Sequence, residues 1–291
     1  MTRFEQMGAA VAQDRQEVIV QAVCLVPCGG VVFYASVPGN SATSTGCAAS
    51  RTENRRQLVT ILWEYLRAKE SPLWKRSPFS NRAALPIQIV HDTLGRPHLL
   101  LGERRGPAIS FSTAGEEVWA ALCGDESDIG IDVAGSAEFQ EGYPVHRVFH
   151  VQELHQALEL AGGDLARAAA LLWSIKEAVA KALGCAFHLV DPRDIHVCPS
   201  AVEDGGPAFS VRLSGKALVR FPMADRRPIA VRSLPQAETW LSIAALNWPR
   251  ICAKYSAELL VEPMPELGGL MVDTRLKISD AAFFLDELNI R

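Results

Sequence analysis

One apolar helix constrains the fold more than any other feature of the sequence. Residues 171–184 read LLWSIKEAVAKALG. At 3.6 residues per turn, four large apolar side chains of this segment fall on one stripe, which must face a core. These residues are Leu172, Ile175, Val179 and Leu183. Gly184 is a natural C-terminal stop. The pattern predicts a helix over 164–183 that packs against the rest of the protein.

The opposite side of this helix carries charge. Trp173, Glu177 and Lys181 follow each other at intervals of four residues, with Lys176 beside them. Glu177 and both lysines are therefore expected to project into one common space. A solvated face with an ordinary Glu177–Lys181 pair, contributing about 0.2–0.5 kcal/mol, explains the charges but not the tryptophan. The alternative is a carboxylate for a metal ion with two ammonium groups for phosphate oxygens.

A second carboxylate lies in an unusual context. In DIGIDVAG, residues 128–135, apolar side chains alternate with Gly130 and Asp132, as in a strand. Strands deplete aspartate, and a glycine beside it lets another group approach closely. A frayed strand end would also explain Asp132, so the pattern alone leaves both interpretations open.

The remaining patterns favour an α+β class, because a helix followed by several antiparallel strands is predicted in both halves of the chain. Helices are expected at 51–69, with Ser50 as the N-cap, and at 151–161 and 164–183. Strands are expected at 17–26, 31–37, 86–91, 97–101, 107–112, 116–123, 128–135, 194–198, 208–213, 228–233 and 239–246. We divide the chain into 1–126, 127–248 and an appended tail, 249–291, with a short helix capped by Ser279.

Composition excludes several classes of protein. The net charge is −4 and there is no long basic run, so a nucleic-acid partner is not expected. We expect no membrane span and no signal segment. Seven cysteines without a Cys-x-x-Cys pair indicate reduced thiols in the cytoplasm. His146, His150 and His155 are interpreted as surface histidines and not as a metal site.

Two motifs together resemble the 4′-phosphopantetheinyl transferases, in the long, surfactin-type branch. They are Gly130-Ile131-Asp132 and, some 40 residues later, Trp173-Ser174-Ile175-Lys176-Glu177-Ala178-Val179-Ala180-Lys181. Weaker matches are LGRPHLL, ISFSTAG, HRVFHVQELHQAL and WLSIAALNWP. The resemblance covers residues 17–248. It implies two similar α+β halves that form a pseudo-dimer, with coenzyme A in the cleft between them.

The resemblance also implies a reaction. The 4′-phosphopantetheine arm of coenzyme A is transferred to a serine of an apo acyl or peptidyl carrier protein, and 3′,5′-ADP is released. Such carriers belong to fatty acid, polyketide or nonribosomal peptide biosynthesis. By this resemblance Asp132 and Glu177 hold Mg2+, and Asp132, Glu177 and Lys181 are catalytic. Contacts to coenzyme A are implied for Lys176, Lys181, Ser112, Thr113, Arg51, Arg55 and Trp173. We expect a monomer.

Two positions depart from the family pattern. Ala134 stands where a second acid is usual, and Thr113 stands where a histidine is usual. We expect an active transferase, because Asp132, Glu177 and Lys181 are all present. A relative that binds coenzyme A or a carrier protein without transfer is the alternative, and another Mg2+-dependent phosphotransferase is a more remote one.

Overall fold

The computed structural model describes residues 18–25, 30–38, 47–68, 86–123, 127–140, 142–203, 206–227 and 229–246. The tail 249–291, with the helix predicted after Ser279, lies outside these residues. In the described ranges the α-helices are α1 (Cys47–Ala68), α2 (Val145–Val148), α3 (Val151–Leu160), α4 (Leu165–Ala182) and α5 (Gly215–Arg220). Within the same ranges, no helix is long and apolar enough to cross a membrane.

Twelve strands are present in the described residues, and every pairing between them is antiparallel. They are β1 (Gln21–Leu25), β2 (Gly30–Pro38), β3 (Ile87–His91), β4 (Pro97–Leu101), β5 (Arg104–Arg105), β6 (Ile109–Ala114), β7 (Glu117–Cys123), β8 (Asp128–Gly135), β9 (Ile195–Glu203), β10 (Gly206–Leu213), β11 (Ile229–Gln236) and β12 (Thr239–Leu246). The first sheet has the strand order β1-β2-β7-β6, and the second has the order β8-β12-β11-β10-β9. A third, small sheet has the order β3-β4-β5. The predicted α+β class is confirmed.

The two larger sheets pack face to face. Alternate residues of β2 and β7, such as Tyr34 and Trp119, share one apolar cluster with Ile131 of β8 and Ile243 of β12. The other residues of β2 and β7 contact α1 instead, as Phe33 does. On the far side of the second sheet, α4 covers β8 and β12. The order of layers is therefore helix, sheet, sheet, helix, which follows from the two-residue period of each strand.

The neighbouring edges of the two sheets are joined through serine side chains. The Ser110 hydroxyl of β6 accepts the Ile131 backbone N–H at 3.1 Å, and the Ser112 hydroxyl accepts the Val133 N–H at 3.1 Å. Strand β8 is an edge strand whose N–H groups would otherwise need partners. These two hydrogen bonds fix β8 beside β6 and so bring a segment of the first half next to Asp132.

The sequence located most helices and strands correctly, with one clear error at a helix start. Helix α1 begins at Cys47, so Ser50 lies inside it and is not the N-cap. The apolar stripe of the long helix is confirmed, since all four of its members are buried. Each half contains a long helix and an antiparallel sheet, but their description as a pseudo-dimer stays a proposal.

Helix α4 lies unusually close to β8 at Gly130. A Cβ added there would collide with the carbonyl oxygen of Ala178 and lie 2.7 Å from the Ala182 backbone nitrogen. Both atoms belong to helix backbone, which cannot move aside as a side chain can. The predicted close approach at this glycine is thus confirmed, and the approaching group is the helix that carries Glu177 and Lys181.

We expect Gly130→Ala to destabilise the fold by about 1–3 kcal/mol, the usual cost of overpacking. Gly135→Ala is the matched control, because it lies on the same strand and its added Cβ would meet nothing nearer than 3.6 Å. Urea unfolding of both variants gives the comparison. Equal midpoints for the two variants would contradict the close packing of α4 on β8.

Candidate active site

Helix α4 presents only a narrow face to solvent. From Leu171 to Ala182 every residue is buried except Trp173, Glu177 and Lys181. The Asp164 side chain caps the helix by accepting the Arg167 backbone N–H at 3.1 Å. The spacing of four residues predicted this face, and the surrounding core holds it rigidly.

Asp132, Glu177 and Lys181 meet at one point. The Lys181 Nζ lies 2.8 Å from Asp132 Oδ1 and 3.2 Å from Glu177 Oε1, and it also donates to the Ile131 carbonyl oxygen at 3.2 Å. Asp132 is 3% exposed, whereas the Glu177 and Lys181 side chains are 28% and 22% exposed. The group therefore has a buried carboxylate at its base and two charged side chains that reach solvent.

Burial dominates the chemistry of Asp132. Removal from water, together with the Glu177 carboxylate, raises the pKa of Asp132 to about 6. Lys181 and a hydrogen bond of 3.0 Å from the Ser112 hydroxyl oppose this shift. Burial alone would lower the pKa of Lys181, but the two carboxylates outweigh it and raise that pKa. Lys181 consequently stays charged and keeps the two acids together.

Lys176 does not share this space, and the prediction that both lysines project into it is wrong. Its side chain is fully buried on another side of α4. The Nζ group donates to the Pro192 and Ile195 carbonyl oxygens at 2.8 and 2.6 Å and lies 2.9 Å from a Glu153 oxygen. An ammonium group has three protons, and these three acceptors use them all. Lys176 is therefore a structural residue, with none of its protons left for a phosphate.

Trp173 is half-buried at the edge of the second core. Its ring lies 5.0 Å from the Phe187 ring and 6.2 Å from the Phe139 ring, between centroids. One side of the indole packs on the core, and the rest stays exposed beside Glu177. Its contact with coenzyme A stays a prediction.

The predicted contacts from the first half separate into two groups. Ser112 faces Asp132, whereas its neighbour Thr113 is exposed and by strand alternation points to the other side of β6. Phe111 points the same way as Thr113, and the Arg55 guanidinium lies 5.4 Å from its ring centroid. Burial and the charge of Arg51 lower the pKa of Arg55. Arg51, Arg55 and Thr113 are thus associated with the α1 side of the first sheet, away from the acid pair.

Sequence reasoning missed three polar residues that support this site. Glu153 holds Lys176, Ser110 fixes β8, and Ser242, which pairs with Asp132 across the sheet, lies 2.7 Å from the Ser174 hydroxyl of α4. The alternation of Ser110 and Ser112 was visible in the sequence. Nothing local marked Glu153 or Ser242 as buried partners of distant residues.

The two carboxylates suit a hard divalent cation. Both converge on one positive centre, and oxygen ligands of this kind are what Mg2+ prefers in proteins. Ala134 lies on the same α4-facing side of β8 but is buried among apolar groups and offers no oxygen. The protein would thus supply two ligands and leave the other octahedral positions to water and substrate phosphate.

Comparison with known proteins concerns mainly the second half of the chain. Residues 128–221 match the model of the 4′-phosphopantetheinyl transferase superfamily. No match was found among curated proteins. Among solved structures, holo-[acyl-carrier-protein] synthase from Neisseria meningitidis is similar at 21% identity and a TM-score of 0.32, over 40% of this chain and 95% of that one. Over residues 128–221, which carry Asp132, Glu177 and Lys181, the chain is thus similar to the 4′-phosphopantetheinyl transferase superfamily.

Proposed function

We propose that the protein is a Mg2+-dependent 4′-phosphopantetheinyl transferase that modifies an acyl or peptidyl carrier protein. The observation that carries this proposal is the convergence of Asp132, Glu177 and Lys181 within the segment that matches the superfamily model. An ordinary solvated helix face would not explain why the buried Asp132 lies against Lys181. In a phosphoryl-transfer site, acids that hold a metal ion and a fixed ammonium group stabilise the charge on the phosphate oxygens.

Glu177 and Asp132 have different roles in the proposed reaction. The carrier serine oxygen bonds to the phosphorus that bears the pantetheine arm, the bond to the bridging oxygen breaks, and 3′,5′-ADP leaves with that oxygen. Glu177 is partly exposed and accepts the serine proton, directly or through a water molecule. Asp132, which is buried, fixes Lys181 through their ion pair.

Asp132 and Glu177 would hold Mg2+, which supplies charge neutralisation on the pyrophosphate oxygens when it is bound. Lys181 faces the same space and offers an ammonium group to a phosphate oxygen. Ser112 orients Asp132 by donating to its Oδ1, and this bond leaves the second carboxylate oxygen to face a ligand.

Coenzyme A would lie in the cleft between two similar halves, as in the long branch of the family, with its 3′-phosphate near Arg51 and Arg55. Arg55 supports this arrangement. Its Nε is buried and, within the described part of the chain, has no hydrogen-bond partner. Burial and, to a lesser degree, repulsion from Arg51 lower the pKa of Arg55, and a bound anion would offset both effects.

The direct test is to incubate the full chain with Mg2+, coenzyme A and a panel of apo acyl and peptidyl carrier proteins, and to weigh each carrier. The proposal requires one phosphopantetheine to be added to at least one carrier. Ala134 offers no carboxylate beside Asp132 and Glu177. This favours the second candidate function, a protein that binds coenzyme A or a carrier protein without transfer. Coenzyme A binding with no modified carrier in the panel would support that candidate instead.

Glu177→Gln should lower transfer by at least about 10²-fold and leave the melting temperature near that of the native chain. The side chain is partly exposed and outside the core, and the amide cannot accept the serine proton. Transfer rates beside melting curves test this, with the exposed Glu159→Gln as the control. Near-native turnover in Glu177→Gln would remove this residue from the mechanism.

Lys181→Met and Lys176→Met should have opposite signatures, although both change a lysine of the same helix. Lys176→Met leaves Glu153 buried without its cation and should cost about 3–5 kcal/mol of folding free energy. Lys181→Met should cost less stability, because the Asp132 carboxyl, with a pKa already raised to about 6, can take up a proton and Glu177 reaches solvent, but it should abolish most transfer. Urea unfolding and transfer assays on both variants decide this, and a loss of activity without loss of stability in Lys176→Met would refute its structural role.

Ser112→Ala should raise the pKa of Asp132 above about 6, because the hydrogen bond from Ser112 is one of the interactions that hold it down. The pH at which metal-dependent transfer reaches half of its maximum should then move upward, since a protonated carboxyl is a poor ligand for a cation. Thr113→Val, on the opposite side of the same strand, is the control. Identical pH profiles for the two variants would show that Ser112 does not act on Asp132.

A further inference from the structure

We propose that His150, His196 and Glu153 form a second metal site, for a transition-metal ion of the Zn2+ type. This site is separate from Asp132 and Glu177. One ring nitrogen of each histidine and one carboxylate oxygen all lie within 4.8 Å of one another. In the sequence, the histidines nearest to His150 are His146 and His155. The fold instead places it beside His196, which is 46 residues away in the chain.

Two elements, α3 and β9, bring these ligands together. His150 is the N-cap residue of α3, Glu153 lies in the first turn of that helix, and His196 is the second residue of β9. The two imidazole rings are stacked, with centroids 4.5 Å apart and planes 16° from parallel. Both histidines are half-buried, so the rings have an outer side that an ion can reach.

In both histidine rings Nε2 is hydrogen-bonded to an oxygen, which leaves Nδ1 as the nitrogen that could bind a metal. His150 Nε2 lies 2.8 Å from the Arg193 carbonyl oxygen, which can only accept, so this nitrogen carries the proton. His196 Nε2 lies 2.7 Å from the Ser214 hydroxyl, which the same tautomer satisfies. Nδ1 then bears the lone pair in His150, and it does so in His196 when Nε2 donates to the Ser214 hydroxyl. Histidine ligands in metal sites are held in this way, with the other ring N–H donated to an oxygen.

Glu153 has capacity for one more bond. Its Oε1 accepts the Val197 backbone N–H at 2.8 Å, and its Oε2 accepts the His150 N–H at 3.1 Å and contacts Lys176 at 2.9 Å. A carboxylate offers about four acceptor positions, and these contacts use three. The oxygen is therefore fixed in place by the fold before any ion arrives.

The surrounding charges do not exclude a cation. Lys176 and Arg193 are positive, and their effect is offset by the carboxylates of Glu153, Asp191 and Asp194, which act on Lys176 or on His196. With neutral imidazoles, three negative groups and two positive ones leave a net charge of −1. A divalent ion would thus enter a site of opposite sign.

The donor set determines the metal. Two imidazole nitrogens and one carboxylate oxygen are ligands for Zn2+ with a fourth position open, whereas Mg2+ prefers oxygen alone. Nitrogen ligands about 2.1 Å from a tetrahedral ion are about 3.4 Å apart. Since the ligand atoms lie within 4.8 Å of one another, they must approach by up to about 1.4 Å. Because the rings are stacked nearly parallel, their in-plane lone pairs run side by side, and binding requires one ring, such as that of His196, to rotate out of the stack and exchange its hydrogen bond with Ser214.

Binding at this site would act on the fold next to the candidate active site. Glu153 holds Lys176, whose other partners are the Pro192 and Ile195 carbonyl oxygens, and Lys176 precedes Glu177. An ion that joins α3 to β9 would stabilise this connection, because it binds the folded chain only. We expect Zn2+ to raise the melting temperature of the protein.

The test is a calorimetric titration of ZnCl2 into the untagged full chain after removal of metals by a chelator, in excess MgCl2 that occupies Asp132 and Glu177. We expect one ion to bind, with an affinity at least about 100-fold weaker in His196→Ala, since even outer-shell changes cost 10–100-fold. His155→Ala is the control, because this exposed histidine lies on the same helix and its ring faces Glu159, 3.7 Å away, and not Glu153. It should bind Zn2+ as the native chain does, and so should Glu177→Gln.

Co2+ provides a second readout that does not depend on affinity. The proposal predicts the visible absorption of a four-coordinate nitrogen–oxygen site, lost in His150→Gln, a variant that leaves the helix backbone intact. Retention of Zn2+ binding in both His196→Ala and His150→Gln, or its loss in Glu177→Gln alone, would overturn the proposal. Failure of the chain to bind Zn2+ at all would overturn it as well, and none of these results bears on phosphopantetheine transfer.

Discussion

The close contact between α4 and β8 at Gly130 is the constraint on which the candidate site depends. Because this glycine has no side chain, the helix backbone reaches the strand, and Lys181 can pair with Asp132 at 2.8 Å. A larger residue would lift the helix and separate the two carboxylates. The ordinary cost of a buried aspartate is reduced here by an ammonium group and a serine hydroxyl, and the remaining cost appears as a pKa of about 6.

The same helix fulfils two roles with two lysines. Lys181 reaches the solvent side and has the carboxylates as partners, while Lys176 is fully buried and holds α3 and β9 against α4 through Glu153 and two carbonyl oxygens. Lys176 thus holds the helix in the core, and Lys181 belongs to the candidate site. Both members of the anchoring pair, Lys176 and Glu153, are buried within the core, which makes the position of Glu177 rigid.

Periodicity in the sequence was sufficient to predict the helix, its buried stripe and the strand around Asp132, whereas the meeting of Asp132 with Glu177 was expected only from the family resemblance. It failed where the answer depended on distant partners. Lys176 and Lys181 differ by five residues, about 140° apart around the helix axis, yet only the fold shows that Lys176 has Glu153 beside it. The pairing of His150 with His196 was equally hidden, because it requires the packing of α3 on β9.

The central claim is that Asp132 and Glu177 hold a cation against the pyrophosphate of coenzyme A. The most direct measurement is the 31P relaxation of coenzyme A with Mn2+ in place of Mg2+, in the presence of the full chain. The account predicts that the two pyrophosphate phosphorus nuclei relax faster with the native chain than with Asp132→Asn, while the 3′-phosphate changes less. Equal relaxation of all three nuclei with the native chain and with Asp132→Asn would contradict it.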